Sequence, residues 1–212
     1  MPYRILNNAL LKHKLNLIRD KSTPPELLRS LVEDLTLMAM PHIAEEFPKE
    51  GKSIETPLEK GIFEFIEEKR LVFVCILRAA LPMLQGALRA LPKAKAGFLA
   101  IKRDEETLKP KLYYKRLPHI KGKWVVILDP MLATGGSLNM AIEVIKEEKP
   151  DRLFSFNLLA SPEGLEKVAS LHPDVEFFLV SIDKGLNQKG YVVPGIGDIG
   201  DRLFTEDHSY TP

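Results

Sequence analysis

Apolar residues recur at helical spacing early in the chain. Between residues 26 and 47 they fall three and four positions apart, at Leu27, Leu28, Leu31, Val32, Leu35 and Met38. The preceding Thr23-Pro24-Pro25-Glu26 has the pattern of a helix start, with a capping-box pair and a proline at the first helical position. We expect Pro41 to bend or restart this helix, because proline removes a backbone donor. A second, shorter helix is predicted over residues 58–68.

From residue 71 onwards the pattern changes to short apolar runs. The run 71–77 (LVFVCIL) does not alternate with polar residues, which is typical of a strand buried on both faces. Further strands are predicted over residues 97–103, 111–116, 124–129, 153–159 and 175–182, and helices over about 82–91, 137–148 and 162–171. This alternation favours an α/β fold in which helices cover both faces of a parallel sheet. Ligands of such sheets bind at the carboxyl ends of the strands, so the residues after 77, 128 and 182 become candidates for a site.

Composition and charge narrow the class of protein. The 212 residues are 45% hydrophobic and 28% charged, as in a soluble globular protein of one domain. The net charge of +1 gives no overall bias towards nucleic acid or membrane surfaces, and no apolar run is long enough to cross a bilayer. The N-terminal region lacks the pattern of a signal peptide, and the single cysteine, Cys75, fits a reducing compartment. We therefore expect a cytoplasmic protein that binds neither membrane nor nucleic acid.

A candidate phosphate-binding loop follows the strand predicted at 124–129. It consists of Asp129, Pro130, Met131, Leu132, Ala133, Thr134, Gly135, Gly136 and Ser137. The two glycines allow backbone N–H groups to converge, and the following helix adds its positive N-terminal end. The opening carboxylate of Asp129 can accept hydrogen bonds from sugar hydroxyls, so the loop suits ribose 5-phosphate. Taken alone, the four residues TGGS fit a simple strand–helix turn with a serine cap equally well.

The full string DPMLATGGS resembles the motif with which the uracil phosphoribosyltransferase family binds phosphoribosyl pyrophosphate (PRPP). Most other phosphoribosyltransferases carry two adjacent acids at this point, whereas this chain has Leu128 before Asp129. Other segments are also similar to the family, in order along nearly the whole chain: LLKHKLNLIRD near the start, ILRAALPM at 76–83, KRDEETLKP at 102–110, SPEGL at 161–165 and SIDKGLNQKGYVVPGIGDIGDRLF at 181–204.

The resemblance implies a phosphoribosyltransferase-type parallel sheet with flanking helices, a β-hairpin arm and a C-terminal base-binding hood. We expect one domain over residues 1–212, with a helical segment at about 1–50, the core at about 70–182 and the hood at about 183–205. The implied reaction converts uracil and PRPP to UMP and pyrophosphate. The family is commonly a homodimer or a higher homo-oligomer, and GTP is a candidate activator.

Two arginines are candidate ligands of the diphosphate of PRPP. Arg78 directly follows a buried strand, where a guanidinium needs an anionic partner, and its planar fork can bind two oxygens. Arg103 is followed by three acids at 104–106, so an ion pair on a solvated turn is the alternative for it. The resemblance assigns both arginines to the diphosphate. We expect Arg78, Arg103, Asp129 and Asp198 to form the catalytic set, with Mg²⁺ held mainly by PRPP and water rather than by a cage of protein ligands.

The glycine-rich segment 190–201 is the candidate base-binding site. Its apolar residues, including Tyr191 and Ile196, favour an ordered loop over a flexible tail. Backbone groups of such a loop can complement the N–H between two carbonyls of uracil, and cytosine would leave buried groups unpaired. The resemblance assigns uracil contacts to Val192, Gly197, Asp198 and Ile199, with Asp198 also facing PRPP.

Some positions depart from the usual family pattern: Met40, Pro41, Ala80, Lys102 and Ile199. None of these changes removes a proposed catalytic group, although Ile199 lies in the base site. Two alternatives stay open. One is a phosphoribosyltransferase for another base, and the other is a PRPP-sensing regulator that binds nucleic acid.

Overall fold

A mostly parallel sheet of eight strands forms the centre of the part of the chain that the structure describes, residues 3–103 and 110–205 of a computed structural model. In chain order the strands are β1 (Tyr3–Ile5), β2 (Lys49–Glu55), β3 (Lys60–Ile66), β4 (Leu71–Leu77), β5 (Lys95–Arg103), β6 (Pro110–Arg116), β7 (Trp124–Leu128), β8 (Met131–Leu132), β9 (Arg152–Ala160), β10 (Glu176–Ile182), β11 (Gly185–Leu186) and β12 (Val192–Val193). The helices are α1 (Ala9–Arg19), α2 (Pro25–Ala44), α3 (Leu81–Ala90), α4 (Gly136–Lys146), α5 (Pro162–Leu171) and α6 (Ile199–Phe204), and a 3₁₀ turn spans Glu68–Arg70.

The order of the strands across the central sheet is β1, β10, β9, β7, β4, β5, β6, and the short β8 also pairs with β9. Neighbouring strands are parallel except for β5 and β6, which are antiparallel. The predicted α/β class with a parallel sheet is thus confirmed. The strand β1 at the edge of the sheet was not predicted, because three residues are too few to show a period.

Both faces of the sheet are buried, as the unbroken apolar run of β4 predicts. Residues 71, 73 and 75 of that strand contact one buried cluster, which includes apolar residues of α1, α2 and α3. Residues 72, 74 and 76 contact a second cluster, formed with α4 and α5 on the opposite face. Burying an apolar side chain of this size contributes about 1.5–3 kcal/mol, so a polar substitution on either face would destabilise the fold.

The first long helix differs from its prediction in detail. Its N-cap residue is Pro24, with Pro25 at the first helical position, and no side chain caps it. The predicted capping box is therefore wrong, since the hydroxyl of Thr23 donates to the carbonyl of Leu17 at 2.7 Å instead. Nor does Pro41 restart the helix, because it lies within the last turn of α2.

The predicted helix over residues 58–68 is wrong. Residues 60–66 form β3, which pairs with β2 as an antiparallel hairpin in the register Lys49↔Ile66 to Glu55↔Lys60. The segment contains good helix formers, but pairing with a partner strand outweighs weak local propensity. This hairpin carries exposed apolar side chains, among them Leu58 and Ile62, which are 95% and 80% exposed.

Candidate active site

A cavity of about 830 Å³ opens at the carboxyl ends of β4, β5 and β7. Of the residues predicted for the site, those that line it are Arg78, Asp129, Pro130, Met131, Ala133, Ser137, Gly197, Asp198 and Ile199. The candidate phosphate-binding loop, residues 129–137, and the candidate base-binding segment, residues 190–201, are here called the phosphate loop and the base loop. They therefore border the same space, although they lie some sixty residues apart in the sequence. This location is the usual one for ligands of open α/β sheets.

Backbone hydrogen bonds hold the start of the phosphate loop along β9. The carbonyl of Pro130 accepts from the N–H groups of Leu158 and Leu159 at 3.1 and 3.2 Å, and the carbonyl of Leu132 accepts from the Ser161 N–H at 2.9 Å. The side chain of Leu132 is 1% exposed and packs in the core, so this residue fixes the loop rather than bordering the cavity. The position of the loop is thus set by the sheet itself.

The second half of the loop turns through glycine into α4. Gly135 has a φ of +78°, in the left-handed region, and is the residue immediately before the helix. A Cβ there would lie 2.5 Å from Cγ2 of Val168 in α5. Only glycine therefore satisfies both the backbone conformation and the close approach of the helix. Thr134, Gly135 and Gly136 form the turn beside Ser137, which reaches the cavity.

The start of α5 supports the phosphate loop from behind. The buried hydroxyl of Ser161 donates to the carbonyl of Ala133 at 2.6 Å and accepts from the Gly164 N–H at 2.9 Å. A Cβ on Gly164 would lie 1.9 Å from the same Ala133 oxygen. The serine and the glycine of the SPEGL segment therefore both contact the phosphate loop and fix its position. The sequence did not indicate this supporting role.

Asp129 lies at the opening of the loop in a partly apolar environment. Burial raises the pKa of its carboxyl to about 7, although a 3.4 Å hydrogen bond from the Met131 N–H lowers it somewhat. The Asp129 carbonyl accepts from the side-chain amide of Asn157 at 2.7 Å, and Asn157 in turn accepts from Ser155 at 2.8 Å. Burial, and secondarily the charge of Asp129, raises the pKa of the nearby Cys75 thiol to about 12. The carboxylate can thus gain or lose its proton near neutral pH.

The two predicted arginines are placed differently. Nη2 of Arg78 donates to Oδ1 of Asp201 at 2.9 Å, in an ion pair whose side chains are 57% and 49% exposed. An exposed pair of this kind contributes about 0–1 kcal/mol, so an incoming anion can compete for Arg78. Arg103 ends β5 opposite Pro110, but its side chain and the acids at 104–106 lie outside the described residues. The choice between a diphosphate and those acids as its partner stays a prediction.

The candidate base loop is an ordered part of the fold. Val192 is 3% exposed and packs in the core, so it can offer a ligand its backbone rather than its side chain. Gly195 and Gly197 have φ values of +62° and +69°. Asp198 caps α6 by accepting from the Asp201 N–H at 3.0 Å, and Ile199 begins that helix while also lining the cavity.

Tyr113 and Lys189 line the cavity but were not among the residues predicted for the site, and Tyr191 and Asp201, which lie within the predicted segment 190–201, line it without having been given a role. Lys102, which was singled out only as a departure from the family pattern, lines it as well. Lys189 directly precedes the segment 190–201, so its position in the sequence was a usable signal. Tyr113 comes from the antiparallel strand β6, whose position beside the site has no local signature.

Among the described residues, no cluster of three or more histidine, cysteine or acidic side chains could hold a metal ion. Within the same ranges, no helix combines the length and the apolar character that crossing a membrane requires.

The sheet order, with the candidate phosphate loop opening on a cavity at the strand ends, fits a phosphoribosyltransferase fold. Solved structures agree with this class. A hypoxanthine-guanine phosphoribosyltransferase from Bacillus anthracis superposes with a TM-score of 0.52 at 14% identity, over 75% of this chain and 82% of that one. A protein of known structure from Aquifex aeolicus superposes with a TM-score of 0.93 at 44% identity, over 97% of this chain and 99% of that one.

Sequence comparison identifies the family within this class. A sequence model of the family described as uracil phosphoribosyltransferase matches residues 5–205. The uracil phosphoribosyltransferase of Aquifex aeolicus is 46% identical over 199 residues, which are 94% of this chain and 96% of that protein. The enzyme of the same name from Lacticaseibacillus paracasei is 43% identical over 203 residues, 95% of this chain and 97% of that protein. The chain belongs to the uracil phosphoribosyltransferase family.

Proposed function

We propose that the protein transfers the phosphoribosyl group of PRPP to uracil, forming UMP and pyrophosphate. The observation that carries this proposal is the shared cavity, which the phosphate loop and the glycine-rich base loop border together. A transferase must hold its donor and its acceptor side by side, because the rate gain from proximity depends on their alignment. Membership of the uracil phosphoribosyltransferase family supports uracil as the acceptor.

The residues of the phosphate loop are proposed to bind the ribose 5-phosphate half of PRPP. Gly135, Gly136 and the start of α4 supply backbone N–H groups, while Thr134 and Ser137 add hydroxyl donors. Ionised Asp129 accepts hydrogen bonds from the ribose hydroxyls.

Charge at the leaving group is the main catalytic contribution that we propose. Loss of pyrophosphate leaves positive charge on the ribose and builds negative charge on the departing oxygens. Cations that meet this negative charge stabilise the transition state more than the ground state. Arg78 borders the cavity in a weak ion pair, which supports its assignment to the diphosphate, and we propose the same role for Arg103.

Mg²⁺ is proposed to accompany PRPP. The ion is held mainly by PRPP oxygens and water, and the carboxylates of Asp129, Asp198 and Asp201, which border the cavity, can accept hydrogen bonds from that water. When bound, the ion would neutralise charge on the diphosphate.

Uracil is proposed to be recognised by backbone groups of Val192, Gly197, Asp198 and Ile199. Gly197, Asp198 and Ile199 border the cavity, which supports this proposal. The side chain of Val192 packs in the core, so only its backbone is available to a base. A backbone reader distinguishes bases by their hydrogen-bond pattern, and a mismatched base leaves buried groups unpaired. Asp198 is also proposed to face PRPP.

We further propose a homo-oligomer, at least a dimer, in the cytoplasm. The exposed apolar side chains of the β2–β3 hairpin, such as Leu58 and Ile62, are a suitable surface for a second copy. The free, buried Cys75 is consistent with a reducing compartment. Measuring the rate with and without GTP tests whether this nucleotide is an activator.

The experiment is a turnover assay with PRPP, Mg²⁺ and each of uracil, cytosine, hypoxanthine and orotate. UMP formation from uracil alone is the expected result. Faster turnover of hypoxanthine or orotate would assign the protein to another base, and binding to nucleic acid at physiological salt without turnover would indicate a regulator.

A further inference from the structure

An ion pair outside the cavity holds the candidate base loop in place. Arg19, the last residue of α1, makes two parallel hydrogen bonds to the carboxylate of Asp183, just after β10, at 2.7 and 2.6 Å. The Asp183 side chain is only 4% exposed. Neither residue lines the cavity, and neither was among the site residues predicted from the sequence.

Both members of this pair bind the backbone of Gly195. Oδ2 of Asp183 accepts from the Gly195 N–H at 2.9 Å, and Nη1 of Arg19 donates to the Gly195 carbonyl at 3.0 Å. The backbone N–H and carbonyl of Gly195 are thus each hydrogen-bonded to one member of an ion pair. Bidentate geometry of this kind restricts orientation as well as distance.

Because Gly195 lies within the base loop, fixing its backbone also fixes the conformation of the neighbouring residues assigned to uracil. Its φ is +62°, and a Cβ there would lie 2.0 Å from the carbonyl oxygen of Val192. The chain therefore folds back tightly between Val192 and Gly197, two residues assigned to uracil. A small rotation at Gly195 changes the distance between the backbone groups on either side of it.

The surroundings of the pair indicate a role in geometry. Burial alone would raise the pKa of Asp183, but Arg19, the Gly195 N–H and the Ser181 hydroxyl together lower it, so the carboxylate is ionised. The pair is partly buried, with the Arg19 side chain 21% exposed, and the desolvation of such a pair offsets much of its attraction. Fixing a conformation is therefore a better account of the pair than net stability. Arg202 holds the same loop from α6, donating to the Ile196 carbonyl at 2.8 Å.

We propose that Arg19 and Asp183 are positioning residues that set the discrimination between uracil and other pyrimidines by fixing the base loop through Gly195. This inference rests on the proposed function, since it assumes that residues 192–199 bind the base. Neither side chain touches the substrate.

The test compares three variants with the parent enzyme. Arg19→Met keeps the length of the side chain but removes the charge and the fork, and Asp183→Asn keeps the shape but removes the charge. Arg70→Met is the matched control, because Arg70 forms a 2.7 Å pair with Asp151 far from the loop. Circular dichroism and PRPP binding by calorimetry check that each variant is folded.

For Arg19→Met and Asp183→Asn we expect the KM for uracil to rise about 10- to 100-fold, the scale of an angstrom-level misplacement, while the KM for PRPP stays within about twofold. The preference for uracil over cytosine should fall by about tenfold or more. Arg19→Lys, which keeps the charge without the fork, should lie between the parent and Arg19→Met, and Arg70→Met should match the parent.

Two results would overturn the inference. One is a folded Arg19→Met or Asp183→Asn enzyme with the parent's KM for uracil and the parent's cytosine discrimination. The other is an equal loss for uracil and PRPP with unchanged discrimination, which would indicate general destabilisation. If Arg19→Met does not fold, Asp183→Asn and Arg19→Lys decide by the same readouts. If the parent enzyme does not use uracil at all, the proposed function itself is wrong, whatever the variants show.

Discussion

The substitution Gly164→Ala has two opposing effects on the free energy of unfolding, a gain in helix propensity and a steric clash with the phosphate loop. Alanine in place of glycine near the start of α5 favours the helix by up to about 1 kcal/mol. The added Cβ, however, would lie 1.9 Å from the Ala133 carbonyl oxygen, whereas ordinary contact begins at 3.4 Å. Helix and loop must therefore separate by about 1.5 Å, because well-packed atoms cannot interpenetrate.

That separation should cost more than the helix gains. Overpacking of this kind costs about 1–3 kcal/mol. It also stretches the 2.6 Å hydrogen bond from Ser161 to Ala133, whose loss costs about 1 kcal/mol more. We expect the free energy of unfolding to fall by a net of about 1–3 kcal/mol, which lowers Tm by about 2–12 °C in a chain of this length.

The displaced oxygen belongs to the phosphate loop, so function should change as well. We expect kcat/KM for PRPP to fall by about 100-fold, measured at saturating uracil. Glu166→Ala, an exposed position two residues further along α5, is the control and should match the parent. A Gly164→Ala protein with an equal or higher Tm and the parent's KM for PRPP would refute the close contact between helix and loop.

Four further outcomes are expected. Arg78→Ala should reduce kcat/KM for PRPP by about 100-fold or more, or about 3 kcal/mol, the scale of one lost anion-stabilising donor, and a change of only a few-fold would argue against its assignment to the diphosphate. The pKa of Asp129 is raised to about 7, so the carboxylate proposed to accept hydrogen bonds from the ribose hydroxyls forms only as the pH rises. We therefore expect kcat/KM for PRPP to climb with pH and level off above about 7, and Asp129→Asn to lack this inflection. Between about pH 4 and pH 7 the folded state keeps the Asp129 proton, whereas the unfolded state loses it. The free energy of unfolding should therefore fall as the pH rises through this range. Identical pH–stability profiles for the parent and Asp129→Asn would contradict this expectation. Burial of Cys75, with a thiol pKa of about 12, predicts no reaction with a thiol reagent until the protein is unfolded, whereas rapid labelling of the native protein would show an accessible thiol.

Helices and strands whose local sequence determines their burial and their ends were predicted well. The run LVFVCIL requires burial on both faces, and it forms the central strand β4. The helix predicted at 162–171 has those bounds in the structure, because Ser161 caps it and Pro162 starts it. The candidate phosphate loop was placed between a strand and a helix from its glycine, hydroxyl and acidic residues within nine positions, and its binding of phosphate stays a prediction.

Features that depend on distant partners were not predictable. Residues 60–66 contain helix formers, and only pairing with β2 makes them a strand. The ion pair of Arg78 with Asp201 joins residues 123 positions apart, and the contact of Arg19 with Asp183 spans 164. No local pattern marks such pairs, because the fold alone brings them together.

Transfer of the phosphoribosyl group of PRPP to uracil is tested most directly with the purified protein, by measuring formation of UMP from uracil, PRPP and Mg²⁺ with cytosine as the comparison base. We expect PRPP-dependent UMP formation and a kcat/KM for cytosine lower by a factor of about 10⁴ or more, because the proposed base loop matches one hydrogen-bond pattern. Absence of UMP, or turnover of cytosine comparable to that of uracil, would contradict it.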